Sequence, residues 1–293
     1  MTPLRLGLLA WPVGRPADVA AYAARLDNFV AEAAGRADLL LLPEYACVEL
    51  GAGLSGGPAD EAAELRAMVA AAPAVLEAMR AVARRHTVWL QPGTLPMAAG
   101  DGRILNRAPL IAPDGSLAFQ DKMMMTRFEA ERWGIAPGAG PQVFETPWGL
   151  LGLSVCYDSE FPKHVRAQVE AGAWLILVPT CTDTMHGFNR IRFACQARAL
   201  ENQCFVAVAP TVGEAPWSAA LDTNRGFAGV FGPVDRGFPE DGMLARGALD
   251  APGWVFCILD PARLATVRRE GAVLNHRDWP SGPVEPPRPA RFG

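Results

Sequence analysis

The apolar run at residues 150–155 ends abruptly at Cys156, and that break constrains the chain more than any other stretch. Its aliphatic and β-branched content predicts a short buried strand. A few residues on, Val165, Val169 and Ala173 recur at intervals of four, the period of a helix. Cys156 therefore sits at a sharp strand-to-helix junction. There its sulfur can face a ligand, and the backbone N–H groups just after it can stabilise an oxyanion in the same space. A nucleophile elbow built with sulfur is one reading of the stretch. A buried cysteine packed as a small hydrophobe is the other.

Two further buried strands end in reactive or polar residues. Residues 39–42 are four leucines, the pattern of a strand covered on both faces, and Pro43, Glu44 and Tyr45 follow. Residues 175–178 form another such run, followed by Pro179, Thr180, Cys181 and Thr182. Open α/β sheets bind ligands beyond the carboxyl ends of their strands, which makes Tyr45, Cys181 and Thr182 candidate pocket residues. Residues 103–112 and 117–121 flank Pro113-Asp114-Gly115, a strong turn signal, so a hairpin there delivers Lys122. A second hairpin, 142–146 with 150–155, delivers Cys156. Further strands are predicted at 4–10, 88–93, 204–209, 227–231, 244–249 and 255–259. Helices are predicted at 18–35, 58–85, after Cys156 to about residue 172, at 189–201 and briefly from Pro261. Strands alternating with both helices and hairpins imply a mixed sheet, or two sheets faced by helices. No linker or internal repeat divides the chain, so residues 1–293 read as a single domain with a short proline-rich tail from about residue 280.

Several function classes find no support. A formal net charge of −4 and the absence of a Lys/Arg cluster argue against a nucleic-acid partner. No apolar run approaches the roughly 18 residues of a membrane span. Residues 6–13 are short, carry only Arg5 ahead of them and contain Pro12, which favours a first strand over a signal-peptide core and a cytoplasmic protein over a secreted one. The six cysteines contain no C-x-x-C pair and the four histidines no H-E-x-x-H, so no metal site is expected. Gly51-Ala52-Gly53-Leu54-Ser55-Gly56 matches G-x-G-x-x-G but stands eight residues past its strand, which reads as a flexible loop, not a dinucleotide cradle. Gly152-Leu153-Ser154-Val155-Cys156 lacks the last glycine of a serine elbow, so Ser154 is discounted as a nucleophile.

Glu44, Lys122 and Cys156 each lie at or just past a predicted strand end and can meet only through the fold. The order Leu-Leu-Pro-Glu44, Asp-Lys122 and Cys156-Tyr-Asp-x-x-Phe-Pro resembles the nitrilase superfamily of carbon–nitrogen hydrolases. So do Pro137-Gly138, Gly172-Ala173 with the strand and Pro179, and the segment 198–203. The likeness covers most of the chain and is greatest to a bacterial-type branch sometimes fused to acetyltransferase domains. It implies an α/β fold, a four-layer α-β-β-α sandwich with two mixed sheets between helices. It also implies homodimers or higher homo-oligomers, associating through helices near the site (here 161–172 and 189–201), and no cofactor.

The resemblance further implies a Glu44–Lys122–Cys156 triad. Glu44 would be the base for a thiol otherwise protonated at neutral pH. Lys122 and the backbone N–H of Tyr157 would stabilise the oxyanion formed when the thiolate attacks an amide carbonyl. Many members carry a second, positioning glutamate after the lysine. Glu131 fits that place best, nine residues beyond Lys122 and seven before Gly138, with Glu129 as the rival. The chain departs from the family at Glu160, where an arginine is common, and at Gly229-Val230-Phe231. Loops 45–57, 123–136 (with its three methionines) and 211–226 would shape specificity. The expected activity is hydrolysis of a small carboxamide or N-carbamoyl compound. A true nitrilase, acyl transfer to an amine, and a non-catalytic interaction protein are the alternatives. Cys-Tyr-Asp at the elbow favours amides, since true nitrilases often carry Cys-Trp-Glu.

Overall fold

The computed structural model of the chain describes residues 2–56, 59–279 and 288–289. The first half runs β1 (Leu4–Pro12), α1 (Val19–Ala33), β2 (Leu39–Leu41), α2 (Gly51–Ser55), α3 (Glu61–His86), β3 (Trp89–Gln91), β4 (Leu95–Ala98), β5 (Ile104–Ile111) and β6 (Leu117–Asp121). After a crossing loop come β7 (Val143–Thr146), β8 (Gly149–Leu153), α4 (Pro162–Glu170), β9 (Leu175–Thr180), α5 (Met185–Asn202) and β10 (Phe205–Glu214). The chain closes with β11 (Thr223–Asn224), β12 (Gly229–Phe231), β13 (Met243–Arg246), β14 (Gly253–Leu259), α6 (Pro261–Glu270) and α7 (Asn275–Asp278).

The strands form two mixed sheets. In one, β14 pairs antiparallel with β1, β1 and β2 are parallel, β2 and β3 are parallel, and β5 joins antiparallel with β4 and β6. In the other, β8, β9 and β10 are parallel, with β7, β12 and β13 added antiparallel. The sheets touch edge to edge where the end of β1 pairs with β10, at Trp11 with Thr211 and Pro12 with Val212.

Strand alternation sorts the core into layers, because successive side chains point to opposite faces. Leu4, Leu6 and Leu8 of β1, with Leu39 and Leu41 of β2, pack into the cluster that contains Leu151, Leu153 and Leu177 of the other sheet. Leu9, Trp11, Leu40 and Leu42 pack the opposite way, onto Tyr22, Leu26 and Val30 of α1 and Met68, Val75 and Met79 of α3. Val165 and Val169 of α4, with Ile191 and Cys195 of α5, close the far side of the second sheet. The result is the expected α-β-β-α sandwich, and the four leucines are buried on both faces as their sequence requires.

Some elements differ from their sequence expectation. Gly51–Ser55 is the helix α2, closed by Gly56 at φ +66°, not a flexible loop. Gly53 is required there because a Cβ would lie 2.1 Å from the Pro16 carbonyl oxygen, a close approach of backbone to backbone with no ligand involved. The following helix starts at Glu61, where the Asp60 carboxylate caps the N–H groups of Ala62 and Ala63. Loop 211–226 is partly strand, since β10 continues to Glu214 and β11 pairs back on it. β4 had no clear signal, and α5 begins four residues early because Thr184 caps Gly187. The tail read from about residue 280 lies almost wholly outside the described residues.

Candidate active site

Cys156 lies just past β8, where the chain leaves the sheet. The Ser154 N–H still bonds Leu177 of β9 at 3.0 Å, and then Cys156 turns to φ +47°. A left-handed non-glycine residue costs on the order of 1–3 kcal/mol, so its surroundings must hold it there. The Ser159 hydroxyl donates to the Cys156 carbonyl at 2.7 Å, and a 3-10 turn from Cys156 to Glu160 follows before α4. Tyr157 is in the first turn of that segment, where N–H groups lack acceptors within the helix. At the end of β9 the Thr180 hydroxyl donates to Cys156 Sγ at 3.1 Å.

Glu44 arrives from β2. Gly93, at φ +90°, lets the Pro43 carbonyl come so close that a Cβ would meet it at 2.0 Å. Tyr45 at φ +58° turns the chain away. The Glu44 carboxylate is buried, accepting at Oε1 from Lys122 Nζ (2.8 Å) and Asn106 Nδ2 (3.0 Å), and at Oε2 from the Cys181 N–H (3.2 Å). Lys122 is fixed through its backbone at both sides: its N–H donates to Asn106 and its carbonyl accepts from Gly138.

The second carboxylate on Lys122 is Glu129, at 2.6 Å from Nζ. This corrects the preference for Glu131. Residues 128–133 form a wide π-helical turn that swings Glu129 inward, under the Tyr45 hydroxyl (2.8 Å) and onto the Thr126 N–H and hydroxyl. Glu131 faces outward, pairing with the exposed Arg127 at 2.7 Å.

The charges divide the two buried acids. Burial raises Glu129, but the Lys122 ammonium and the donors of Thr126 and Tyr45 outweigh it and hold the acid below its ordinary value. Burial also raises Glu44, the Lys122 ammonium opposes the rise and the Glu129 charge adds to it, leaving Glu44 above its ordinary value. Burial would lower Lys122, yet the charges of Glu129 and Glu44 keep it well above an ordinary lysine. Burial and the Glu44 charge push the Cys156 thiol well up. A thiol and an ammonium of raised proton affinity, a Glu129 of lowered proton affinity and a Glu44 of raised proton affinity therefore share one site. Two acids driven apart in this way suit one to taking a proton and the other to staying charged.

These groups floor a cavity of about 830 Å³. Tyr45, Tyr157, Cys181 and Thr182 line it, and Met125 is the one methionine of the three on its wall. The Thr182 hydroxyl is spent on the Arg225 carbonyl (2.9 Å), and burial holds the Cys181 thiol at about 12. Ser154 is fully buried away from the cavity. Among the described residues no cluster of His, Cys, Asp or Glu is placed to hold a metal ion.

Three residues escaped the sequence reading. Thr180 bonds the sulfur, as above. Asp158 is buried behind the elbow, accepting from the N–H groups of Met123 (3.1 Å) and Met124 (2.7 Å), so it pins the chain just past Lys122. Its signal was adjacency to Cys156. Asn106 touches both carboxylates, and its only signal was a polar side chain inside an apolar strand.

The fold and this cavity place the molecule in the nitrilase superfamily. The amidase of Nesterenkonia sp. AN1, a member, superposes with a TM-score of 0.69 at 26% identity, covering 94% of this chain and 97% of that one. Other structures of that amidase carry covalent additions at its active site cysteine. Residues 5–232 match the family model of the carbon-nitrogen hydrolases, and the chain belongs to that family of hydrolases acting on carbon–nitrogen bonds. A deaminated glutathione amidase of Yersinia enterocolitica is 34% identical over 217 residues, covering 70% of this chain and 72% of that protein. The probable hydrolase YhcX of Bacillus subtilis is 34% identical over 178 residues, which span 61% of this chain but only 35% of that longer protein. Among the described residues no helix is long and apolar enough to cross a membrane.

Proposed function

We propose that this chain hydrolyses a small carboxamide through a thioester on Cys156. The observation that carries the reading is a single ammonium, Lys122, held between Glu44 and Glu129 on the floor of a cavity that also contains the Cys156 thiol. Glu44 takes the thiol proton as sulfur bonds the amide carbon, and the oxyanion falls to Lys122 and the Tyr157 N–H. When the C–N bond breaks, Glu44 gives its proton to the departing amine. Water then enters, loses a proton to Glu44 and attacks the thioester; the sulfur leaves and recovers that proton, releasing the acid. Glu129 stays ionised throughout and holds Lys122 in place. A raised thiol pKa fits this sequence, because the proton is transferred during attack and no resting thiolate is needed. That relatives are named as amidases supports an amide substrate in this reading over a nitrile.

Two further proposals concern setting. We propose a homodimer formed through α4 and α5, supported by Phe193 and Leu200, exposed large apolar residues one heptad apart on α5. Light scattering should give twice the chain mass at micromolar concentration, and the single mass would refute this. All six cysteines are free thiols, which suits a reducing cytoplasm.

The function is tested by ammonia release over a panel of amides and nitriles. Wild type and Cys181→Ala should turn over amides, the latter with changed affinity, whereas Cys156→Ala should be inactive. With a slow amide, intact mass spectrometry should find an adduct on the Cys156 peptide that hydroxylamine removes. An adduct on Cys181, or turnover by Cys156→Ala, would overturn the assignment.

A further inference from the structure

Asn106 sits in the middle of β5, fully buried, behind the two carboxylates and off the cavity wall. Its Nδ2 carries two hydrogens, and two acceptors lie within reach: Glu44 Oε1 at 3.0 Å and Glu129 Oε1 at 3.1 Å. The reverse orientation would aim the amide oxygen at both carboxylates, so the chemistry of the neighbours fixes which way the amide points. The other end of the same amide, Oδ1, is buried with no hydrogen-bond partner. A polar side chain kept only to fill a strand core would not be expected to leave its oxygen orphaned while its nitrogen serves two acids. The backbone carbonyl of the same residue accepts the Lys122 backbone N–H at 2.9 Å, so one position of β5 binds both carboxylates and fixes the chain that carries the ammonium.

The arrangement also distinguishes the two oxygens of Glu44. Lys122 and Asn106 both occupy Oε1. Oε2 accepts the Cys181 N–H, and the Cys156 thiol lies near enough to the same carboxylate to bear on its proton affinity. Oε2 is thus the oxygen with capacity to spare.

We propose that Asn106 is a positioning residue that, by binding Glu44 and Glu129 with one NH₂ group, reserves Oε2 of Glu44 for the Cys156 proton and keeps Glu44 ionised until that proton arrives. The proposal rests on the acid–base reading above. Donors to the charged form of an acid favour that form, so losing them should raise the proton affinity of Glu44 and move the acid limb of activity to higher pH.

The test is the rate of Cys156 alkylation by iodoacetamide, with peptide mapping, from about pH 5 to about pH 9, beside kcat/KM on whichever amide the panel identifies. Asn106→Ala should lose about tenfold or more at the acid end, the loss shrinking as pH rises, while KM stays unchanged because the residue is off the cavity wall. Asn106→Asp should shift the limb further by adding a third carboxylate. If that variant fails to fold, Asn106→Ser, which keeps one donor, should fall between wild type and Asn106→Ala. A loss equal at every pH, or a rise in KM alone, would reduce Asn106 to packing and overturn the proposal. Failure of iodoacetamide to prefer Cys156 in the wild type would instead remove the acid–base reading, and this inference with it.

Discussion

Replacing Glu129 by Gln probes the site where its electrostatics are most concentrated. Every group facing the carboxylate is a donor: Lys122 Nζ and the Thr126 N–H and hydroxyl on Oε2, the Tyr45 hydroxyl and Asn106 Nδ2 on Oε1. A glutamine offers one oxygen and one NH₂, so in either orientation its NH₂ opposes donors. Breaking one side of a buried ion pair costs about 3–5 kcal/mol, and because Glu44 still pairs with Lys122 the lower end, about 3 kcal/mol, applies. If Lys122 moves with it, the loss of an oxyanion donor should lower kcat about 10²–10³-fold. The pH dependence has a definite sign. The Glu129 charge raises Glu44, so removing it lowers the proton affinity of Glu44 and moves the acid limb to lower pH, opposite to the Asn106 variants. Glu131→Gln is the control: its pair with Arg127 is between side chains 90% and 55% exposed, where an ion pair contributes little. Initial rates of ammonia release, with denaturant unfolding of each variant, measure both effects. Wild-type rate in Glu129→Gln together with a loss in Glu131→Gln would refute the reasoning.

Gly93→Ala should destabilise the fold by about 1–3 kcal/mol and depress turnover, since its Cβ would collide with the Pro43 carbonyl beside Glu44; unchanged thermal unfolding would contradict this. Asp158 is raised by burial from 3.8 to about 7, so its contribution to stability is full below the unfolded value and lost as pH rises through about 7. Asp158→Asn can keep Oδ1 on the Met123 and Met124 N–H groups without titrating, so wild type should lose stability relative to it between pH 5 and pH 8; parallel denaturant curves would count against the shift.

How legible these features were in the sequence follows from what sets each one. The four leucines before Glu44 announced a doubly covered strand because burial on both faces leaves no position for a polar side chain, and the cluster membership of Leu39 to Leu42 follows that rule residue by residue. Strand ends could be read for the same reason, and Glu44, Lys122 and Cys156 were found as the groups just past them. The choice between Glu129 and Glu131 could not be made this way. The two acids stand two residues apart in a turn of irregular pitch, so neither the helical nor the strand period says which one points inward. Tertiary partners decide it: Tyr45 comes from after β2 and Asn106 from β5, and both reach Glu129 only once the sheet has formed. The Gly51–Gly56 segment went astray for a related reason. Glycines signal loops through their freedom, but here Gly53 is chosen for the space that the Pro16 carbonyl denies to any larger residue. Local pattern thus brought the candidates to strand ends and the family resemblance singled them out, while the contacts that set their protonation come from segments far apart in the chain, where only the folded sheet brings them together.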